Sequence, residues 1–576
     1  MKLIIKYLKR YKLLFILNAV SALGFALVEL GIPTIVADII DYGISGNNRT
    51  YIINGGLKIL FVSVVGVMGT IIMGYCCAKI STGITHDIRL DLYKKIQKFS
   101  HNEFSEFKIA GLITRTNNDA FQIQLFVNTI LRMAVLTPVM LIGSLILTYR
   151  SSSDLFWVIF ATIPFIILGV IIVAKVTGPI SEKQQRGLDD INRISRENLT
   201  GLRVIRSFNR QKSEEIRFSK TNEEFAHNSK LMFKIMQSTQ PIFFLLMNIA
   251  VCRIYYVGAI LISDGSLEIG KLVAFLDYLF HAMISMMLFC MIFMMYPRAN
   301  VSAKRIQEVF DSDISIKNLS TEKLEDEENS FIEFRNVKYI KDGKTILNNI
   351  NFTAKKGETI AIVGATGSGK SSLVRLIPRL SDPSEGEIRF NDKNIKYIDI
   401  NNWRNKIGFV AQKAFLFKGS IRDNICFGNA NAAEKDIIEA AEIAQAMDFI
   451  STRKSGFNDE IEENAANLSG GQKQRLSIAR AIVRKPDIYI FDDAFSALDF
   501  KTDAKVRAAL KSITGNAITF IVAQRISTIK DADKILVMNH GEIISSGKHN
   551  ELLDNCKIYK DIVDSQIGLE EMLYEE

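Results

Sequence analysis

The chain has 576 residues, of which 48% are hydrophobic, and 71 Lys and Arg outnumber 62 Asp and Glu for a net charge of +9. The apolar residues concentrate before residue 300, which excludes a uniformly water-exposed globular protein and points to a few domains of different character. The basic excess lies largely in the loops of that apolar half, so it reads as membrane topology and an inner surface facing the lipid bilayer, with no nucleic-acid partner implied.

Lys2, Lys6, Lys9, Arg10 and Lys12 precede the first apolar stretch without a small-residue cleavage site, the pattern of an interfacial elbow helix and not of a removable signal peptide. Apolar stretches follow at about 13–37, 57–79, 127–148, 155–174, 236–262 and 271–296, each close to the ~20 residues that cross a bilayer. Six crossings return both ends to the same side. Segments 80–126 and 175–235 are long and rich in Lys and Arg, whereas 42–56, 149–154 and 263–270 are short, with only Arg49 and Arg150 as cations. The positive-inside rule therefore places the termini and the long loops in the cytoplasm.

Glu29, Arg253 and Asp277 lie within the spans. Charges there are costly, so they either form a structural ion pair or face a wet cavity that takes substrate. The sixth span carries Met283, Met287, Met291 and Met294 at helical spacing, with Met286 and Met295 beside them. Such a stripe suits a packed or lipid-facing helix as well as an adaptable binding wall. Cysteines 76, 77, 252, 290, 426 and 556 show no metal-ligand spacing and read as reduced and mostly structural.

Residues 311–330, DSDISIKNLSTEKLEDEENS, are polar, acidic and aperiodic, which marks a linker and divides the chain into 1–310, 311–330 and 331–576. The third part opens an α/β pattern. Thr359 to Val363 form an apolar strand, Gly364 to Ser371 read GATGSGKS, and Ser372 to Leu376 continue as a helix. Gly364, Gly367 and Gly369 allow backbone angles that turn successive N–H groups of Ala365, Thr366, Ser368 and their neighbours onto phosphate oxygens. Lys370 reaches the β- and γ-phosphates of ATP, the Ser371 hydroxyl ligates Mg²⁺, and Ser372 completes the cradle. Further on come Gln412 in VAQK, Leu468-Ser469-Gly470-Gly471-Gln472, and the apolar run Ile488 to Phe491 ending in Asp492, a buried strand that brings a second Mg²⁺ ligand to the phosphate end of a sheet.

In this order the motifs resemble the ABC transporter ATPases, with LSGGQ as signature, Gln412 as Q-loop residue and further metal contact, Asp492 as Walker B carboxylate and Ser496 to Asp499 as D-loop. The loop stretches AGLITRTNND, at 110–119, and ENLTGLRVIRSF, at 197–208, resemble the intracellular loops of ABC exporters. The resemblance implies a polytopic all-α membrane domain of six helices followed by an α/β P-loop ATPase, with short coupling helices near Asn102 to Phe107 and Arg210 to Glu215. It also implies that ATP is sandwiched between the Walker motifs of one half-transporter and the signature of a second.

Two positions depart from the family. Asp493 stands where a glutamate polarises the attacking water, and Gln524, in Ala523-Gln524-Arg525-Ile526-Ser527-Thr528, stands where a switch histidine is expected. The resemblance is then to the degenerate-site subunit of bacterial heterodimeric multidrug exporters, with a homodimer of two slow sites as the alternative. Before the signature, Glu463-Asn464-Ala465-Ala466 departs from the family's ERG-type pattern. Tyr339, in NVKYIKDG, either stacks on adenine or is a core strand residue. The implied activity is ATP-driven export of hydrophobic or amphipathic small molecules across a bacterial plasma membrane. Lipid or peptide export and an ATP-gated regulator without transport are the alternatives, the peptide option being lowered by the lack of a peptidase-like segment before the first span.

Overall fold

The computed structural model describes residues 1–320 and 330–574. Residues 321–329 of the linker, and the side chains of Cys290, Met291 and Met294, lie outside the described residues. The chain divides into two compact units, Met1–Gln97 with Ile109–Ser312 and Lys98–Lys108 with Asp313–Glu576.

The first unit is helical. Its helical segments Lys2–Ile44, Arg49–Ile96, Ile109–Ser151, Ser153–Thr200, Gln211–Ser263 and Ile269–Asp311 contain the six stretches long and apolar enough to cross a membrane. The 48 residues of Arg49–Ile96 span about 72 Å at 1.5 Å per residue, more than twice the hydrocarbon thickness. The apolar stretches are therefore parts of longer helices whose polar ends run past the bilayer.

Small residues set the helix spacing. A Cβ on Gly66 would come within 2.7 Å of Val28 Cγ1, so Lys12–Asp38 and Arg49–Ile96 approach through that glycine. A buried polar contact joins the same pair to a third helix: Cys77 Sγ donates to Asn18 Oδ1 at 3.1 Å, and Asn18 Nδ2 donates to Leu131 O at 2.8 Å. Cys76, Cys77, Cys252, Cys426 and Cys556 are free thiols.

The cytoplasmic turns differ in part from expectation. A short helix does form at His101–Phe107, started by a capping box between Ser100 and Glu103. The second expected short helix is displaced: it spans Leu202–Ser207, and Arg210 caps the long helix Gln211–Ser263. Gly201 ends the preceding helix, so the short helix starts about eight residues earlier than the family resemblance implied.

In the second unit a six-stranded sheet runs, edge to edge, through Glu542–Gly547, Lys534–Asn539, Thr359–Gly364, Ile518–Val522, Ile488–Asp492 and Ile407–Val410. All neighbours are parallel except the first pair. The central strands are buried along their length, which explains their continuous apolar runs. A second, antiparallel sheet is built on Phe331–Lys341, Lys344–Lys355 and Glu385–Phe390.

Candidate functional site

Three neighbouring parallel strands deliver the candidate residues to one edge. Val522 pairs with Asp492 on one side and Ile362 on the other, so the glycine loop, the second carboxylate and the switch segment all leave the sheet at its carboxyl end. Ligands of open α/β sheets bind there.

The loop from Gly364 to Ser371 closes tightly on itself. A Cβ on Gly364 would meet Met538 O at 2.1 Å and Ser368 Oγ at 2.9 Å, and Gly367 and Gly369 have φ of +86° and +100°, in the left-handed region. Lys370 heads the helix Lys370–Leu376 and its Nζ donates to the carbonyls of Gly364 and Ala365 at 2.7 and 2.8 Å. Burial pushes the Lys370 ammonium below its usual value, while Asp493 and Asp492 act in the opposite sense. Ser368 Oγ is buried with no hydrogen-bond partner among the described residues, as expected of a phosphate cradle.

Two of the candidate metal ligands also converge. Ser371 Oγ donates to Asp492 Oδ1 at 2.7 Å, and Asp492 is fully buried. Its Oδ2 accepts no hydrogen bond among the described residues and faces Arg375 Nη2 at 3.7 Å. The Ser371 hydroxyl and the buried Asp492 carboxylate are hard oxygen donors of the kind that fits Mg²⁺.

Gln412, Asp493 and Gln524 meet at one atom. Asp493 Oδ2 accepts from Gln412 Nε2 at 3.2 Å and from Gln524 Nε2 at 3.0 Å. Asp493 is 7% exposed, and its φ of +52° is a backbone state that Asp tolerates better than most residues. Burial raises its carboxyl above the usual range and Asp492 adds to this, against the two amide donors and Lys370.

The signature stands apart. Ser469 caps the helix Gly470–Ile482 and shares a capping box with Gln472. Ser469 and Gly470 are exposed, Leu468 is buried, and a Cβ on Gly471 would meet Ala497 O at 3.3 Å. No hydrogen bond among the described residues links Leu468 to Gln472 with the glycine loop. In the preceding loop Asn464 and Ala465 have φ of +57° and +53°.

Tyr339 is corrected by the structure. It is 6% exposed in the core behind the sheet and its hydroxyl lies 3.2 Å from Ser381 Oγ, so its ring offers no face to a base. The core-strand alternative is the arrangement found.

In the membrane unit Glu29, Arg253 and Asp277 do not pair with one another. Glu29 Oε2 lies 3.8 Å from His281 Nε2, a residue the sequence reading passed over, and the Arg253 guanidinium sits 5.6 Å from the Tyr256 ring centroid. Asp277 is exposed with no ion pair among the described residues. Of the methionine stripe, Met283 is buried and Met287 is 46% exposed, and the side chains of Met291 and Met294 lie outside the described residues.

Other contacts that sequence alone did not reveal lie around His101–Phe107. Glu103 is 4% exposed and accepts hydrogen bonds from Ser100 N, Ser315 N and the Ser315 hydroxyl. Burial, with Lys341 and Arg375 nearby, lowers the His101 imidazole below its ordinary value and keeps it neutral at pH 7. The S-x-x-E spacing of Ser100 and Glu103 was a legible cap signal; the tie to Ser315 was not.

Comparison with known proteins agrees with this geometry. A family model described as the ABC transporter transmembrane region matches residues 15–296, and one described as ABC transporter matches residues 347–496. The uncharacterized ABC transporter ATP-binding protein YfiB of Bacillus subtilis (strain 168) is 35% identical over 568 residues, 98% of each chain. A second such protein of that organism, YwjA, is 30% identical over 98% of each chain. The solved structure of a bacterial Atm1-family ABC exporter with ATP bound matches with a TM-score of 0.80 at 22% identity, over 97% of this chain and 98% of that one, a likeness of fold. With its membrane helices and cytoplasmic ATPase domain on one polypeptide, the chain belongs to the ABC transporter family as an exporter-type half-transporter that couples ATP hydrolysis to transport.

Proposed function

We propose that this chain is one half of a heterodimeric exporter of hydrophobic or amphipathic compounds in the plasma membrane, and that its own Walker side binds and holds ATP while the partner's site turns over. The observation that carries this reading is the corner at Asp493. Hydrolysis needs a water polarised by a carboxylate beyond the γ-phosphate. Asp493 has the charge but is one methylene shorter than glutamate, a retraction of about 1.5 Å, and a 1 Å misplacement can cost on the order of a hundredfold in rate. The two groups that grip it, Gln412 and Gln524, are neutral amides that donate hydrogen bonds but neither take up nor release a proton at pH 7.

Binding is not compromised in the same way. Lys370, Ser371 and Asp492 retain charge neutralisation and the oxygen ligands for Mg²⁺, the ion that would shield the phosphates when bound. The exposed, capped signature at Ser469 and Gly470 is suited to complete the competent site of a partner. A half-transporter with a sound signature and a weak Walker side gains most from a partner of the opposite kind. The intramembrane carboxylates Glu29 and Asp277 and the partly exposed methionines support an amphipathic cargo.

The experiment is nucleotide analysis of the pair co-purified from its native membrane. After brief turnover this chain should retain unhydrolysed ATP while its partner holds ADP. ADP on this chain would show a competent site and remove the asymmetry, and robust ATPase activity of the chain alone would favour the homodimer.

A further inference from the structure

The segment carrying Gln524 has little structure of its own. It leaves the strand at Val522, and the helix that follows, Ile526–Ile529, is a single turn. A turn this short has no cooperative stability and must be held from outside.

Arg507 Nη1 donates to the Ser527 carbonyl at 3.0 Å and Thr528 Oγ1 to Asp503, and one further side chain grips the backbone beside Gln524 itself. Gln566 Nε2 donates to the carbonyl of Gln524 at 2.7 Å, and Gln566 Oε1 accepts from Ile526 N at 2.8 Å. A primary amide carries donor and acceptor in one plane, so it satisfies the loop's exposed C=O and N–H together, much as a neighbouring strand would. The support is rigid. Gln566 lies on the helix Lys557–Tyr574, whose Tyr559 and Val563 are 0% and 5% exposed in the core cluster that includes Ile526 and Ile529. Tyr559, Val563 and Gln566 share one helix face by their spacing of four and three. On the far side of the loop, Gln524 Nε2 reaches Asp493.

We infer that Gln566 is a positioning residue for the nucleotide site: it fastens the backbone on both sides of Arg525 and thereby fixes the aim of the Gln524 amide at Asp493. Its contacts are to the loop and not to the glycine loop or the metal ligands. Its loss should change the rate at which this chain hydrolyses bound ATP and leave ATP affinity intact.

The test uses the full chain with its partner. Conversion of ATP to ADP on this chain is followed by photo-labelling and chain separation, and affinity by equilibrium binding of ATP. Gln566→Ala should slow conversion by about tenfold, the scale seen when outer supporting groups are removed from a site, with affinity unchanged. Because Gln566 acts through Gln524, the double variant with Gln524→Ala should be no slower than Gln524→Ala alone. Ser565→Ala, one residue away and bonded to Ile562 O of its own helix, should leave the rate unchanged. Should Gln566→Ala fail to fold, Gln566→Glu is read instead: it keeps an acceptor for Ile526 N but sets a carboxylate against the Gln524 carbonyl, and should also be slow. A wild-type rate in the readable variant, additive losses in the double variant, or an equal loss from Ser565→Ala would overturn the inference. Each readout is a ratio to the wild-type rate, whether that rate is fast or slow, so this result is separate from the fate of the ATP-retention proposal.

Discussion

Restoring the water-activating geometry is the sharpest perturbation available. Asp493→Glu lengthens the side chain by about 1.5 Å, and the hundredfold cost of a 1 Å misplacement is about 2.7 kcal/mol at 1.36 kcal/mol per tenfold. Glu alone should recover only part of this, because Gln524 still offers a neutral amide to the same oxygen. We expect about a tenfold gain in hydrolysis at this site from Asp493→Glu, and about a hundredfold from Asp493→Glu with Gln524→His. Stability should move the other way. Position 493 is 7% exposed at φ +52°, where glutamate is less at ease than aspartate, and one extra methylene in a packed corner costs about 1–3 kcal/mol. Faster turnover with a lower Tm is therefore the signature. The assay is the ATP to ADP ratio trapped on this chain in the co-purified complex. Mainly ADP on the wild-type chain, or a double variant no faster than wild type, would refute the argument.

Expressed alone, the chain should show little ATPase activity, and co-expression with its partner should restore it; turnover is measured as phosphate release. Ser469→Ala or Gly470→Asp should lower the ATPase of the complex more than Asp493→Ala does if the signature serves a partner's site as proposed; equal losses would indicate two equivalent sites. Glu103 supplies a pH test. Burial pushes its carboxyl up, but hydrogen bonds from Ser100 and Ser315 outweigh this and hold it below the usual range. A depressed carboxylate contributes fully above its unfolded value, about 4.3, and loses that contribution as pH falls through its folded value. The Tm advantage of wild type over Glu103→Gln should be present at pH 7 and shrink below about pH 4.5.

Much of the nucleotide site was legible because its motifs sit at strand ends, where spacing in sequence fixes position in space. A buried parallel strand ending in Asp492 can deliver that carboxylate only to the edge where the loop after Val363 also emerges. The spans were legible through length and loop charge. What escaped were contacts between side chains distant in sequence. Gln566 lies 42 residues beyond Gln524 on a helix whose pattern reports only its apolar face. His281 faces Glu29 across two helices that no periodicity aligns. Tyr339 was ambiguous because a strand aromatic fits both a core and a stacking face, and burial decided between them. The short helix that the resemblance implied near Arg210 lies at Leu202–Ser207, because the long helix before it already ends at Gly201.

The placement of Lys98–Lys108 bears on how ATP chemistry reaches the membrane. This segment is the link between the long helix Arg49–Ile96 and the next helical stretch, yet it packs as part of the nucleotide-binding unit. The backbone passes from one unit to the other between residues 97 and 98 and returns between 108 and 109. Glu103 is the fastener, since one buried carboxylate takes both the cap of its own helix and the N–H and hydroxyl of Ser315. Ser315 follows directly on the helix Ile269–Asp311, so the same carboxylate ties a loop between two membrane helices to the exit of a third. His101, two residues before Glu103, lies near Arg375 on the helix that begins at Lys370, and Arg375 in turn faces Asp492. A neutral imidazole there adds no third charge beside Lys341 and Arg375. Glu103 thus joins the cap that starts the short helix to Ser315, while the backbone carries that segment directly into the helices on either side.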